Sequence, residues 1–438
     1  MATEVEIKEA GASQPRAGGM FRALSHRNYR LFWTGAFLSN VGTWMQAVAQ
    51  GWLVLKLTDS PFWLGVDGFM ATAPGLVLTL AGGVFADLVD RKKLLIYTQA
   101  GSGLSALVLG VLIITGFVND AKDVWIVLLL TFVTGCCMSL AGPSYQAITV
   151  DLVGREDLAN AIALNSTQFQ LARLVGPALA GPALAVFGLA GCFLANGLSY
   201  IVIIIALRMV RFDEAKKGVL PSPAVQEHQT FWRDLMAGFS YVRRRPRVFM
   251  LLVISTVTSL FGSPYLSMMP HFARDILHMG EAGLSLLMGA SGAGAFCGAL
   301  ILAYLGDFRR KGWSVLGGAF FFALSLIGFA LSTRPALSVF FIFVMGVAIV
   351  ASVAVTNTLL QQLVQDRMRG RVMSMFMLTF IGAMPIANLM AGAASVHFGA
   401  PHTFVVGGLI IALFIIVVTI RDKRLRELGE PPVAKNRC

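Results

Sequence analysis

Two ionisable side chains stand inside stretches that are otherwise apolar, and they bound the chemistry this chain can carry. Asp67 lies in the run covering residues 62–86, and Arg173 in the run covering residues 158–187. A carboxyl group among apolar side chains is suited to taking up and releasing a proton, because desolvation favours its neutral form and a nearby cation its ionised form. A guanidinium at such depth requires a partner carboxylate, a polar cavity or an anionic ligand. Both residues lie at comparable depth, counted from the same side, so the sequence predicts an Asp67–Arg173 pair with Asp67 as the proton site. Two plainer readings stand beside this one. Arg173 can bridge helices or reach the outer edge, and Asp67 can simply face water there.

Uncharged polar residues form a second set. Asn40, Gln46 and Gln50 fall on one face of a helix through residues 31–55, since Gln46 precedes Gln50 by four and Asn40 precedes it by nearly three turns. Asn165 and Gln168 share the run of Arg173, and Asn357, Gln361 and Gln362 end another. Such residues either hold helices together or line an aqueous path. Gln46 and Gln50, with Asn165, Gln168 and Arg173, are candidates for contact with a small molecule. Gly176-Pro177 is expected to bend its helix and expose backbone groups.

The elements that carry these residues follow from composition. Of 438 residues, 56% are apolar and only 13% charged, with a mean hydropathy of +0.72. That leaves too little charge to cover a soluble protein of this length, whereas one bilayer span takes about 20 apolar residues. Spans are expected at residues 31–55, 62–86, 94–115, 124–145, 158–187 and 189–207, then at 248–272, 282–305, 313–331, 336–358, 372–396 and 403–420. This is an all-α integral membrane chain of twelve transmembrane helices in two six-helix halves. Residues 1–28 form an N-terminal tail with no cleavable signal, 29–209 the first bundle, 210–247 a linker, 248–420 the second bundle and 421–438 a C-terminal tail. Phe231, Leu235, Phe239 and Val242 give the end of the linker one apolar helical face.

Charge sets the orientation. Lys56, Lys122, Arg274 and Arg334 fall on one side and Arg173 inside a span, while the rest of the 35 Lys and Arg fall on the other side. The basic side is therefore expected to be cytoplasmic, with both termini there. The net charge of +12 is accounted for by orientation and by anionic lipid headgroups, not nucleic acid. Of the five cysteines, Cys136, Cys137, Cys192 and Cys297 lie in apolar runs, and with Cys438 they show no metal-ligand spacing. No phosphate-binding loop is present, so ATP is not the expected energy source. His271-Phe-Ala-Arg-Asp275 and Gly101-Ser-Gly103-Leu-Ser-Ala106 imitate catalytic and dinucleotide motifs without the context either needs. No cofactor and no metal is expected.

The two halves echo one another. Gly83-Val-Phe-Ala-Asp87-Leu-Val-Asp-Arg91-Lys92-Lys93 follows span two, and Leu305-Gly306-Asp307-Phe308-Arg309-Arg310-Lys311 follows span eight. Leu152-Val153 matches Leu363-Val364, and Gly181 matches Gly392 at the same offset. Internal symmetry of this kind marks duplicated transporter folds. The loop pattern resembles the signature of the major facilitator superfamily. Within it, the chain is similar to the bacterial branch holding the enterobactin exporter and drug and macrolide efflux proteins. The stretches that carry the likeness begin at Phe21-Arg-Ala-Leu-Ser-His26, Gly51-Trp-Leu-Val-Leu, Ala172-Arg173-Leu-Val-Gly176-Pro177 and Gly238-Phe-Ser-Tyr241. Asp90 replaces the small residue that many relatives carry before the Arg.

The resemblance implies alternating access, with the substrate held between the halves and protons moving inward. It also implies that the loops of Asp87 with Arg91, and of Asp307 with Arg309, gate the halves. The expected activity is export of an amphiphilic small molecule, siderophore-like or drug, by a monomer whose other partners are protons and lipids. Import by the same fold and a non-transporting receptor are the alternatives. A membrane enzyme is disfavoured, because no cluster of catalytic groups gathers at either face.

Overall fold

The computed structural model describes residues 21–88, 90–154, 156–210, 231–306, 308–426 and 428, with the side chains of 79–88, 231–235 and 424 left out. Within the apolar runs the backbone has no water to bond, so each run closes its hydrogen bonds internally as a helix. The helices are α1 (Arg27–Thr58), α2 (Pro61–Leu88), α3 (Arg91–Ile114), α4 (Val124–Val153) and α5 (Leu158–Met209), then the short α6 (Phe231–Arg243). After it come α7 (Pro246–Gly262), α8 (Tyr265–His271), α9 (Gly280–Leu305), α10 (Lys311–Leu331), α11 (Pro335–Leu363), α12 (Asp366–Phe380), α13 (Ala383–Phe398), α14 (Ala400–Arg421) and α15 (Lys423–Arg426). No strand occurs among the described residues.

Nine segments among the described residues are long and apolar enough to cross a membrane. One of them, α5, has 52 residues. A straight helix of that length would run to about 78 Å, far beyond a core of about 30 Å. It turns back at Gly188, whose φ of 64° and ψ of −171° only glycine adopts without strain, and so holds two spans. The more polar α1 and the partly described α2, of 32 and 28 residues, have the length to cross as well. The twelve-span reading counts them with the rest.

Other breaks differ from the expected spans. The seventh runs through α7 and α8, interrupted at Ser263-Pro264, and ends in a π-helical turn at Phe272–Ile276. The eleventh is split at Ile381-Gly382 into α12 and α13. The α6 helix occupies the end of the expected linker, and of its expected apolar face the Phe231 and Leu235 side chains lie outside the described residues. Val242 is buried, while Phe239 is 52% exposed.

Helices α1 to α5 pack as one set and α7 to α14 as another: α1 lies on α5 and α2 on α4, while α10 and α9 lie on α11. The sets meet along two seams, α5 with α9 and α2 with α13. Both seams are built on small residues that admit backbone contact. A Cβ on Gly65 of α2 would stand 2.6 Å from the Asn388 carbonyl oxygen of α13, and one on Gly181 of α5 would stand 3.3 Å from Ser285 Cβ of α9. Arg274 ties the same end together, with Nη1 donating to Asp59 Oδ1 at 2.7 Å and to the Leu55 carbonyl at 3.1 Å. All these bridges lie on the side away from the basic loops.

Candidate functional site

Asp67 is held by the helices on either side of it. From α1, Gln50 Nε2 donates to Asp67 Oδ1 at 2.8 Å, and from α4 the Thr131 hydroxyl reaches the same oxygen at 3.0 Å. Gln50 Nε2 also donates to Thr131 Oγ1 at 2.8 Å, which closes a three-residue ring of polar groups. The ring continues inward along α1. Gln46 Nε2 donates to Gln50 Oε1 at 3.4 Å, and Asn196 Nδ2 donates to Gln46 Oε1 at 2.6 Å. The i,i+4 spacing expected to align Gln46 with Gln50 does so. Asn196, on the second span of α5, is buried, and every amide donor in the chain points toward the carboxylate.

The expected Asp67–Arg173 pair is not formed. Arg173 faces the opposite seam, where Nη2 donates to Ser291 Oγ of α9 at 2.9 Å and to Tyr265 Oη of α8 at 3.4 Å. Its guanidinium lies 5.5 Å from the ring centroid of Trp44. The two residues match in depth, but α2 and α5 lie on different seams, and depth alone does not distinguish them. Thus Arg173 connects one helix set to the other, while Asp67 stays among α1, α2 and α4.

Asn165 and Gln168 line a cavity of about 210 Å³ on the basic side of these bridges, together with Asn40, Gln99, Tyr145 and Phe169. Asn165 is fixed by Tyr29, whose hydroxyl donates to Oδ1 at 2.9 Å, and by its own Nδ2 donating to Thr149 Oγ1 at 3.1 Å. Gln168 accepts from the Tyr145 hydroxyl at 3.3 Å, and its buried Nε2 has no partner among the described residues. An orphaned buried donor beside a cavity is a ready site for an acceptor on a ligand. Gln46, Gln50 and Arg173 do not line this cavity. Gln46 and Gln50 serve Asp67 instead, and Arg173 lies behind Phe169 and Trp44.

The loop residues are only partly in view. The backbone of Asp87 belongs to α2, its side chain is outside the described residues, and so is Asp307 altogether. Arg91 opens α3, and its Nη1 donates to Asp151 Oδ2 of α4 at 3.3 Å. Arg309 is exposed. Asp90 caps α3, its carboxylate accepting from the Lys92 and Lys93 amides at 2.9 and 3.1 Å. That explains a carboxylate before the basic cluster, since the first turn of a helix has free amides to satisfy.

Among the residues of this arrangement that escaped sequence reasoning are Asn196, Thr131, Tyr265 and Ser291. Asn196 carried a signal, an amide in an apolar run, of the same kind that singled out Gln46. Thr131, Tyr265 and Ser291 carried none, because hydroxyl residues are common in membrane helices and their partners are remote in sequence.

The family model described as "Transmembrane secretion effector" matches residues 18–436. Among curated relatives, the staphyloferrin A transporter of Staphylococcus aureus is 22% identical over 91% of this chain and 97% of its own length. Macrolide efflux protein A of Streptococcus pyogenes is 24% identical over 92% and 99%, and the enterobactin exporter of Escherichia coli 26% over 92% and 94%. Among solved structures, a nucleoside transporter superposes with a TM-score of 0.70 at 10% identity over 90% of this chain and 99% of that one. A bacterial homologue of the human lysosomal transporter Spinster, inward-facing and occupied, gives 0.64 at 14% identity over 93% and 99%. The chain belongs to the transmembrane secretion effector family and is a multi-pass transporter of the major facilitator superfamily, not an enzyme.

Proposed function

We propose that this transporter exports an amphiphilic small molecule, siderophore-like or drug, in exchange for protons, with Asp67 as the proton site. The observation that carries the reading is the setting of Asp67, an intramembrane carboxylate with amide and hydroxyl donors and no ion-pair partner among the described residues. A group held in that way can be charged in one arrangement of the helices and neutral in another, which is what proton coupling requires.

With the basic side taken as cytoplasmic in a bacterial inner membrane, the bridges close the outer side and the cavity lies toward the cytoplasm. This is the inward-facing state of an alternating-access cycle. Asn165 and Gln168 serve as cargo contacts, and Gln46 and Gln50 hold the carboxylate. The loops of Asp87 with Arg91 and of Asp307 with Arg309 govern the basic-side gate as the outer bridges part. The protein works as a monomer, surrounded by lipid. The names of the three bacterial relatives support cargo of this class and the outward direction for the efflux and exporter relatives.

Inside-out vesicles carrying the protein and a pH-sensitive dye test this directly. Siderophores, macrolides and cationic dyes are added in turn to vesicles holding a proton gradient. Collapse of the gradient for one class establishes antiport and names the cargo. A transporter that accumulates the same compound in the cytoplasmic direction, with no proton movement, would overturn the proposal.

A further inference from the structure

Arg173 is placed as no purely structural cation needs to be. Among the described residues its Nη2 is served by two neutral hydroxyls, Ser291 and Tyr265, which are themselves 2.9 Å apart, and its buried Nε has no partner. No carboxylate among the described residues pairs with it. A half-buried guanidinium is only partly compensated by two neutral hydroxyls and one aromatic face, whereas a carboxylate, sulfonate or phosphate meets it with two parallel charge-assisted hydrogen bonds. The cavity supplies a route. Phe169 lines it one turn before Arg173, and the Phe169 ring meets the edge of Trp44 at a centroid distance of 6.0 Å. Trp44 in turn covers the guanidinium. Phe169 and Trp44 therefore form a continuous aromatic contact from the cavity wall to the guanidinium.

The hydroxyls that hold Arg173 belong to α8 and α9, the other helix set. The Arg173 backbone also abuts Gly292, so the same residue takes part in the α5–α9 seam. We propose that Arg173 is an anion-receiving latch: cargo bearing an anionic group passes Phe169 and Trp44, takes the guanidinium from Ser291 and Tyr265, and thereby loosens the far-side closure. Cargo charge is thus read at the point that holds the seam shut. The inference rests on the alternating-access reading and deepens it by naming the cargo as an anionic amphiphile.

The test uses the full chain in detergent and three fluorescent probes: dansylglycine and anilinonaphthalene sulfonate as anions, and dansylcadaverine as a cation with the dansyl group. Spin labels at Lys56→Cys and His278→Cys, in a background without the native cysteines, report the far-side distance. The anions should bind saturably and widen that distance, and dansylcadaverine should do neither. A charge-assisted hydrogen bond implies that Arg173→Gln weakens anion binding at least about tenfold, with Arg173→Lys between the two. Ser291→Ala removes a competitor for the guanidinium, so it should tighten binding about threefold and widen the distance without ligand. The opposite signs of the two variants separate a latch from mere loss of folding. Unchanged anion binding in Arg173→Gln, equal binding of dansylcadaverine, absence of widening, or no saturable anion binding would each overturn the latch. Proton movement driven by dansylcadaverine would then leave antiport standing. Anion-driven widening without proton movement would leave the latch standing and remove antiport.

Discussion

Gly392 of α13 meets Gly65 of α2 backbone to backbone, so closely that a Cβ on Gly392 would stand 2.9 Å from the Gly65 Cα. The opposite seam brings the equivalent positions together, there against a serine side chain. Ser285 lies as far before Asp307 as Gly65 does before Asp87, and Gly181 lies as far after Leu152 as Gly392 does after Leu363. Ser285 and Gly181 face each other across α9 and α5. The sequence echo between the halves is thus also a pair of equivalent contacts at the closed end. Its energetic source is dispersion between close backbones, not a hydrophobic term, because lipid is as apolar as a side chain.

Gly392→Leu should force that seam apart. Overpacking costs about 1–3 kcal/mol, and here the neighbour is main chain that cannot turn away. Spin labels at the closed end should report a wider separation, and transport should fall. Leu at Gly317, where a Cβ would meet nothing within 4 Å, is the control and should leave both unchanged.

Arg274 and Asp59 bridge the same end but should matter far less. The Asp59 side chain is 80% exposed, and pairs of that kind contribute about 0–1 kcal/mol. Arg274→Ala should change initial transport rates less than about fivefold, and the residual effect should shrink further in high salt. A complete loss of transport would show that the pair is not a surface bridge of ordinary strength.

Thr131→Val keeps the shape beside Asp67 and removes a donor. A hydrogen bond to a charged group is worth about 1.5–3 kcal/mol, so gradient-driven transport should fall about tenfold or more. Thr131→Ser, which retains the hydroxyl, should restore most of it. Equal activity in both variants would mean that the hydroxyl does not serve the carboxylate.

Gln168→Leu removes the orphaned amide beside the cavity while keeping its bulk. If Nε2 awaits an acceptor on the cargo, the variant should raise KM about tenfold with little change in maximal rate. Asn165→Ala should raise KM and also lower the thermal stability, because Tyr29 and Thr149 both lose a partner. Thermal-shift and initial-rate measurements on the two variants separate these effects.

The large-scale architecture was legible because lipid imposes one rule on every span, an apolar run long enough to cross with its backbone bonded internally. The Gly-Asp-basic loops and the glycine echo located the equivalence of the halves. Breaks inside spans, at Ser263-Pro264 and at Ile381-Gly382, were not legible, because Pro and Gly are tolerated in membrane helices without breaking them. The candidate site divides in the same way. Gln46 and Gln50 were found by helical period, a local property. The partners of Arg173 were missed, since depth along a helix says nothing about which seam the helix faces.

The most direct test of the account separates coupling from carriage at Asp67. Purified wild type and Asp67→Asn are reconstituted in liposomes loaded with a transported compound. Exchange of labelled for unlabelled compound is measured at equal pH, and accumulation is measured under an imposed proton gradient. The account predicts that Asp67→Asn retains exchange, because the cavity and seams are intact, and loses gradient-driven accumulation. Full accumulation by Asp67→Asn would contradict the account, because the proton would then be carried elsewhere.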